Sequence, residues 1–381
     1  YMGEKPFTNV YLTGIVRDQL GRKMSKSLGN SPDPLDLIKM YGADAIRVGV
    51  LYSSPAGNDL MFDTPLEITP ATPLVSKYCE QGRNFWNKIW NAFKLIKGFE
   101  VNEVEQNAAQ KQAIDWFANR LNEQLAVINN HYDKYRMSDA LMATYKLVWD
   151  DFCAYYLEAI KPEFIDGKAL PIDKATYDAT INFLEDILKI VHPWMPFVTE
   201  EIWHLITERS EKDCIIVAEW PKVQKADADK IKLFEQAKEI VTQVRNIRNQ
   251  KNISPKEKME LQARVQGEKK SDFNEVIVKL ANLSAFTYTD AKPEGAVSFV
   301  IPGTEFFVPL TGKIDTAAEK ERILKEIEYN KGFLKSVQIK LSNQNFVAKA
   351  KPELIEKEKQ KQSDAESKIK SLEEQLQTLN S

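Results

Sequence analysis

Apolar residues return at helical intervals along most of the chain. Phe85, Ile89, Phe93 and Ile96 are spaced by 4, 4 and 3, and Ile114, Phe117, Leu121, Leu125 and Ile128 by 3, 4, 4 and 3. Leu141, Tyr145, Val148, Phe152 and Tyr155 repeat 4, 3, 4, 3, while Ile181, Leu184, Leu188 and Val191 repeat 3, 4, 3. Each set draws one apolar stripe along a helix, and stripes of this kind must bury one another, which predicts a helical bundle. In "HPWMPFVTEEIW", Pro193 and Pro196 break the pattern before a further helix that carries Glu200 and Glu201 near its N-terminus.

The periodicity changes on either side. Residues 9–18, "NVYLTGIVRD", read as a β-rich run; Asp33-Pro34 then opens a short helix, because Asp caps and Pro tolerates the first turn, and a second helix covers residues 43–51. After the bundle, Phe234, Ala237, Val241 and Val244 mark a helix ending near Asn252. "EKMELQARV", "AFTYT", "AVSFVI" and "EFFVPL" alternate like strands around a helix at residues 272–281, which makes a small α/β unit. The most regular text comes last. Ile323, Ile327, Asn330, Leu334, Val337 and Leu341 hold a heptad spacing, as do Ile355, Glu358, Gln362, Ala365, Ile369, Leu372, Leu376 and Leu379. With helix-stopping Asn and Pro residues between them, the two seams predict an antiparallel coiled-coil hairpin.

Composition narrows the function. At 381 residues the chain suits two to four domains. A formal charge of −3 means that any nucleic-acid binding must come from local patches. Cys79, Cys153 and Cys214 form no CxxC pair, which argues against a disulfide scaffold or zinc site and fits reduced, buried thiols in a cytoplasmic protein. No long uncharged apolar run predicts a membrane span, and the opening residues lack a signal-peptide pattern; they read as entering a fold in mid-course. Trp86, Trp90, Trp116, Trp149, Trp194 and Trp203 stand at helical spacing and are read as core before base-stacking platforms, and His192, at a helix break, as a capping or packing residue before a catalytic one.

Two segments carry candidate chemistry. "GRKMSKSLGN", residues 21–30, places Lys23 and Lys26 three positions apart with hydroxyls between, a set that can surround a polyphosphate with ammonium and hydroxyl donors. By composition alone a basic, exposed turn is the plainer reading. From Lys331 to Pro352 there are five lysines (Lys331, Lys335, Lys340, Lys349 and Lys351) and no acid, whereas the whole segment 315–381 balances 13 basic against 12 acidic residues. Such a concentration suits phosphate contact, and a solvated coiled-coil face is the alternative. Arg245 and Arg248, one turn apart, are weaker candidates for the same contact, with an internal salt bridge as the other reading.

"KMSKSLGN" resembles the signature loop of class I aminoacyl-tRNA synthetases. Its flanks, "VYLTGIVRDQLGRKMSKSLGNSPDPLDLIKMYGADAIRVGVL", look like the valine, isoleucine and leucine subgroup, and "HPWMPFVTEEIW" is similar to that subgroup's anticodon-domain signature. "GNDLMFD", together with "FFVPLTGKID" and "KLSNQNFVAKAKPELIEKEK" leading into the hairpin, is similar to bacterial valyl-tRNA synthetases; an isoleucyl enzyme would be expected to end in a cysteine-rich zinc module.

The resemblance implies a mainly α chain in four parts. Residues 1–74 would be the end of a Rossmann catalytic domain with a stem-contact segment, and residues 75–226 a helical anticodon-binding domain. Residues 227–312 would be an α/β junction and residues 313–381 a coiled-coil arm binding tRNA. Lys23 and Lys26 would hold the ATP phosphates, Lys26 foremost, with Met24, Ser25 and Ser27 shaping the loop. The implied partners are ATP with Mg2+, valine and tRNA(Val), and the implied state a cytoplasmic monomer. His131, His192 and His204 are the three histidines, and none sits in the His-x-Gly-His-like motif that the class also needs. The expectation is therefore a C-terminal portion of the ligase that does not aminoacylate alone. An isoleucyl or leucyl relative and a non-catalytic tRNA-binding module are the alternatives.

Overall fold

A helix with one apolar stripe gains by laying that stripe against another, and most of the chain is organised by this pairing. The computed structural model describes residues 3–54, 57–69, 74–265, 273–310 and 316–342, and the helical positions 355, 356, 358, 359, 361, 362, 365, 366, 369 and 373. It divides into two compact units: residues 1–241 with 268–283, and residues 242–267 with 284–381.

In the first unit β1 (Val16–Arg17) pairs in parallel with β2 (Leu60–Met61). Between them lie a 3-10 turn (Lys26–Leu28), α1 (Pro34–Tyr41) and α2 (Ala43–Tyr52). The carboxylate of Asp33 accepts the Leu35 amide at 2.8 Å and caps α1, as its place before Pro34 predicts. The β-rich run at 9–18 shrinks to two strand residues, because β2 offers a partner only two residues long. Val10 and Leu12 accordingly stay 74% and 82% exposed. Leu37, Tyr41, Ala45, Leu60, Phe62, Leu74 and Cys79 form a core beneath these elements, with Met24 packed against it.

The bundle follows: α3 (Lys77–Lys97), β3 (Val101–Asn102), α4 (Ala108–Asp133), α5 (Met137–Lys146), a π-helical stretch (Leu147–Tyr156), α6 (Leu157–Ile160), a hairpin of β4 (Phe164–Ile165) and β5 (Lys168–Ala169), β6 (Ile172–Asp173), α7 (Lys174–Val191) and α8 (Pro196–Ile206). Its centre is aromatic. Phe117 meets Phe152, Tyr156 and Phe183 at 4.9–5.3 Å between ring centroids. Trp116 stacks at 3.6 Å on Phe234 of α9 (Ala228–Gln250), and α10 (Asn274–Ala281) packs on α4. The π-helical stretch departs from the regular spacing predicted there. Its wider turn takes Tyr155 off the seam and buries Tyr156 completely, with the Tyr156 hydroxyl 2.7 Å from Thr180 Oγ1. Trp116, Trp194 and Trp203 are buried as core residues, while Trp86, Trp90 and Trp149 are half-buried.

In the second unit β7 (Met259–Val265), β8 (Leu283–Tyr288), β9 (Ala296–Ile301) and β10 (Thr304–Pro309) form a sheet in the order β8-β7-β10-β9, with β10 antiparallel to both neighbours. Along β7 the side chains of Met259, Leu261 and Ala263 are buried and those of Glu260 and Arg264 exposed, the alternation expected of a sheet covered on one face. The helix α11 (Thr316–Ser342) buries Ile327, Asn330 and Val337, while Glu358, Ala365 and Ile369 are buried from the following helical positions. Lys331 Nζ lies 2.7 Å from Glu373 and Lys340 Nζ 3.9 Å from Glu358, so the two segments run in opposite directions. Of the heptad positions, Leu372, Leu376 and Leu379 lie outside the described residues. No helix among the described residues is long and apolar enough to cross a membrane.

Candidate nucleotide loop and nucleic-acid surface

The lysine loop is held from beneath. Its backbone leaves β1 through a turn in which Gly21 takes a positive φ of 78° and the Gly21 amide donates to the Asp18 carbonyl at 2.9 Å. It then returns alongside the strand: Arg17 bridges Lys23, and the Met24 amide donates to the Val16 carbonyl at 3.0 Å. Ser25 caps the 3-10 turn, its Oγ accepting the Leu28 amide at 3.3 Å and lying 3.1 Å from Ser27 Oγ. Gly29, at φ 65°, closes the turn. Lys23 and Lys26 point into solvent, and neither has an acidic partner among the described residues.

Arg22, the third cation of the segment, is committed: its guanidinium lies 2.7 Å from the Asp18 carboxylate. Asp18 is fully buried, and so is Asn30, whose amide donates to Asp18 Oδ2 at 2.9 Å. Burial alone would push the Asp18 carboxyl up. The hydrogen bonds from Asn30 and from the side chain and amide of Arg22 outweigh it and bring the pKa down to about 2. Sequence reading passed over Asp18 and Asn30. Both are ordinary turn residues, and the twelve positions between them hide their contact.

The "HPWMPF" segment is gripped by α2. Asp44 Oδ1 accepts the Phe197 amide at 3.2 Å and Oδ2 the Val198 amide at 2.7 Å. One turn on, Arg47 donates to the carbonyls of Pro193 at 2.9 Å and Trp194 at 3.3 Å. His192, read as a capping or packing residue, stands at the C-terminal cap of α7 with Nδ1 2.8 Å from Thr199 Oγ1. Burial lowers its pKa, a shift that the nearby Glu200 and Asp44 only partly oppose.

The arm lysines differ from one another. Lys331 and Lys340 face glutamates, whereas Lys335 is exposed with no acidic partner among the described residues; Lys349 and Lys351 lie outside those residues. Arg248 needs correcting as a tRNA contact. It is 5% exposed, and its guanidinium donates to the carbonyls of Ser254 and Glu257, both at 2.7 Å, closing the turn after α9. Arg245 is exposed on the same helix. Among the described residues no group of three or more His, Cys, Asp or Glu side chains is placed to hold a metal ion.

Residues 1–63 match the family described as "tRNA synthetases class I (I, L, M and V)", and residues 115–265 match "Anticodon-binding domain of tRNA ligase". A lysine signature loop ahead of a helical bundle, in a chain matching both, makes this a class I aminoacyl-tRNA synthetase chain. Residues 315–380 match "Valyl tRNA synthetase tRNA binding arm". The valine–tRNA ligases of Christiangramia forsetii and Parabacteroides distasonis are each 50% identical to it over 100% of its length, and that of Fusobacterium nucleatum is 37% identical over 98%. The chain belongs to the valine–tRNA ligase family, and it spans 42% of the length of these three relatives. Among solved structures, a leucyl-tRNA synthetase ternary complex of Agrobacterium radiobacter aligns at TM-score 0.41 and 20% identity, covering 60% of this chain and 25% of that one. A methionyl-tRNA synthetase of Mycobacterium tuberculosis aligns at 0.38 and 19%, covering 56% and 40%.

Proposed function

We propose that this chain serves valine–tRNA ligation, in which valine is activated with ATP and transferred to tRNA(Val). Residues 1–74 carry the ATP loop at the end of a Rossmann domain, residues 75–226 take the anticodon end of the tRNA, residues 227–312 join the parts, and residues 313–381 form a tRNA-binding arm. The observation that carries the reading is the pair of exposed lysines, Lys23 and Lys26, on a backbone fixed by buried polar contacts. Ammonium groups on such a loop can follow negative charge as it shifts between the phosphates of ATP during adenylate formation. Met24 anchors the loop in the apolar core, and Ser25 and Ser27 shape its turn.

Binding of tRNA(Val) to the 381-residue chain, measured by fluorescence anisotropy across a salt series, tests the arm. Replacing Lys335, Lys340 and Lys349 with Glu weakens binding and flattens the log–log salt slope by about 0.7–0.9 for each phosphate that the arm no longer neutralises. Of Lys331, Lys335 and Lys340, Lys335 has the largest single effect when replaced with Glu, because the other two already face glutamates at 2.7 and 3.9 Å. An unchanged slope in the triple variant refutes the arm's role.

A further inference from the structure

Nothing in the lysine loop's own sequence fixes its shape as firmly as the two side chains that bracket it. The Asp18 carboxylate receives four donors: the amides of Leu20 and Arg22 on Oδ1, both at 3.0 Å, and Arg22 Nε at 2.8 Å and Asn30 Nδ2 at 2.9 Å on Oδ2. Asn30 carries the connection onward. Its Oδ1 accepts the Ser25 amide at 2.9 Å, and its Nδ2 lies 3.4 Å from the Lys23 carbonyl. A relay of two buried side chains thus joins the end of β1 to peptide groups on both sides of Met24, between the two lysines.

We propose that Asp18, acting through Asn30, is a positioning residue for the nucleotide loop: it sets where Lys23 and Lys26 present their ammonium groups to the phosphates of ATP. The proposal rests on the reading of this loop as the ATP loop. Between the two lysines the relay touches only the Lys23 carbonyl and the Ser25 amide, and it leaves both ammonium groups available. A buried network whose members are all satisfied has one low-energy arrangement and resists distortion, which is what a loop needs if its charges are to meet a transition state without reorganising. The carboxylate is already ionised in the mildly acidic range, so the relay does not switch near neutral pH.

The test uses the full-length ligase that carries this chain, assayed by valine-dependent ATP–pyrophosphate exchange. If the unmodified enzyme shows no exchange, the ATP-loop reading itself has failed. Given exchange, Asp18→Asn is expected to lower kcat by about 10- to 100-fold, the scale of a misplacement near 1 Å, with the KM for valine and the affinity for tRNA(Val) within about twofold of the parent. The pair Asp18→Asn with Asn30→Asp exchanges carboxylate and amide across the same contact, and recovers roughly tenfold or more of the loss. Combined with Lys26→Ala, Asp18→Asn adds little, because both act through one loop. Three results overturn the proposal: Asp18→Asn within about twofold of the parent in kcat, losses that multiply fully with Lys26→Ala, or an exchanged pair that regains the parent's melting temperature without regaining rate.

Discussion

Removing the Asp44 carboxylate should loosen the start of α8, whose first free amides it accepts from another helix. The helix opens Met195-Pro196-Phe197-Val198; Met195 makes no side-chain cap, and Pro196 has no amide hydrogen. The Phe197 and Val198 amides, at the second and third helical positions, would be orphans if Asp44 of α2 did not accept both. Asp44 is therefore an N-cap supplied by a different helix, and it is only 6% exposed. Losing an ordinary N-cap costs about 1–2 kcal/mol, and Asp44 caps two part-buried amides, so Asp44→Ala should destabilise this junction by roughly 2–4 kcal/mol. Hydrogen exchange of peptides covering residues 196–206 reads that locally, as opening about 30- to 1,000-fold more frequent. Burial pushes the Asp44 carboxyl up, and the Val198 and Phe197 amides and the Arg47 charge offset only part of this. The native state then holds the proton more tightly than the unfolded chain, so this group's contribution falls as pH rises from the ordinary carboxylate range through the raised value, and is flat above it. Asp44→Asn should remove that slope while keeping one acceptor. Unchanged exchange at 196–206 in Asp44→Ala would show that the two amides are satisfied some other way.

Two further outcomes follow from packing. A Cβ at Gly82 of α3 would lie 2.3 Å from the Ala45 carbonyl oxygen of α2, so Gly82→Ala should lower the thermal midpoint, with overpacking of about 1–3 kcal/mol exceeding the helix-propensity gain near 1 kcal/mol; a raised midpoint would mean the helices separate freely. Burial pushes the Cys153 thiol up to about 12 and also raises Cys79, whereas Cys214 is partly exposed. Maleimide labelling of the folded chain, followed by peptide mass spectrometry, should therefore find Cys214 modified well before the other two; equal rates would contradict that burial.

What the sequence disclosed was whatever depends on near neighbours. Stripes at 3–4 spacing located the helices, alternation located β7 to β10, and the heptad register was specific enough to include two polar members, Asn330 and Glu358, that prove 7% and 6% exposed. The π-helical stretch was missed because its wider turn moves the buried position by one residue, from Tyr155 to Tyr156, which apolar lettering alone does not distinguish. Arg248 was misjudged for a different reason, and the signal was present. Val241 and Val244 continue four residues on to position 248, so the same stripe that defined α9 puts this guanidinium on the buried face.

The same division runs through the candidate site. Lys23 and Lys26 announce themselves, because exposed cations beside hydroxyls are unusual enough to form a motif. Their supports do not. Asp18 and Asn30 meet through a hydrogen bond across 12 positions of chain, and each belongs to a residue type that turns use everywhere. A charge meant for a substrate must stay exposed and so stands out in a sequence, whereas the groups that aim it must be buried and paired. Arg22 shows why composition alone misleads here: it reads as a third loop cation, yet its guanidinium is paired with Asp18, whereas Lys23 and Lys26 stay exposed with no acidic partner among the described residues.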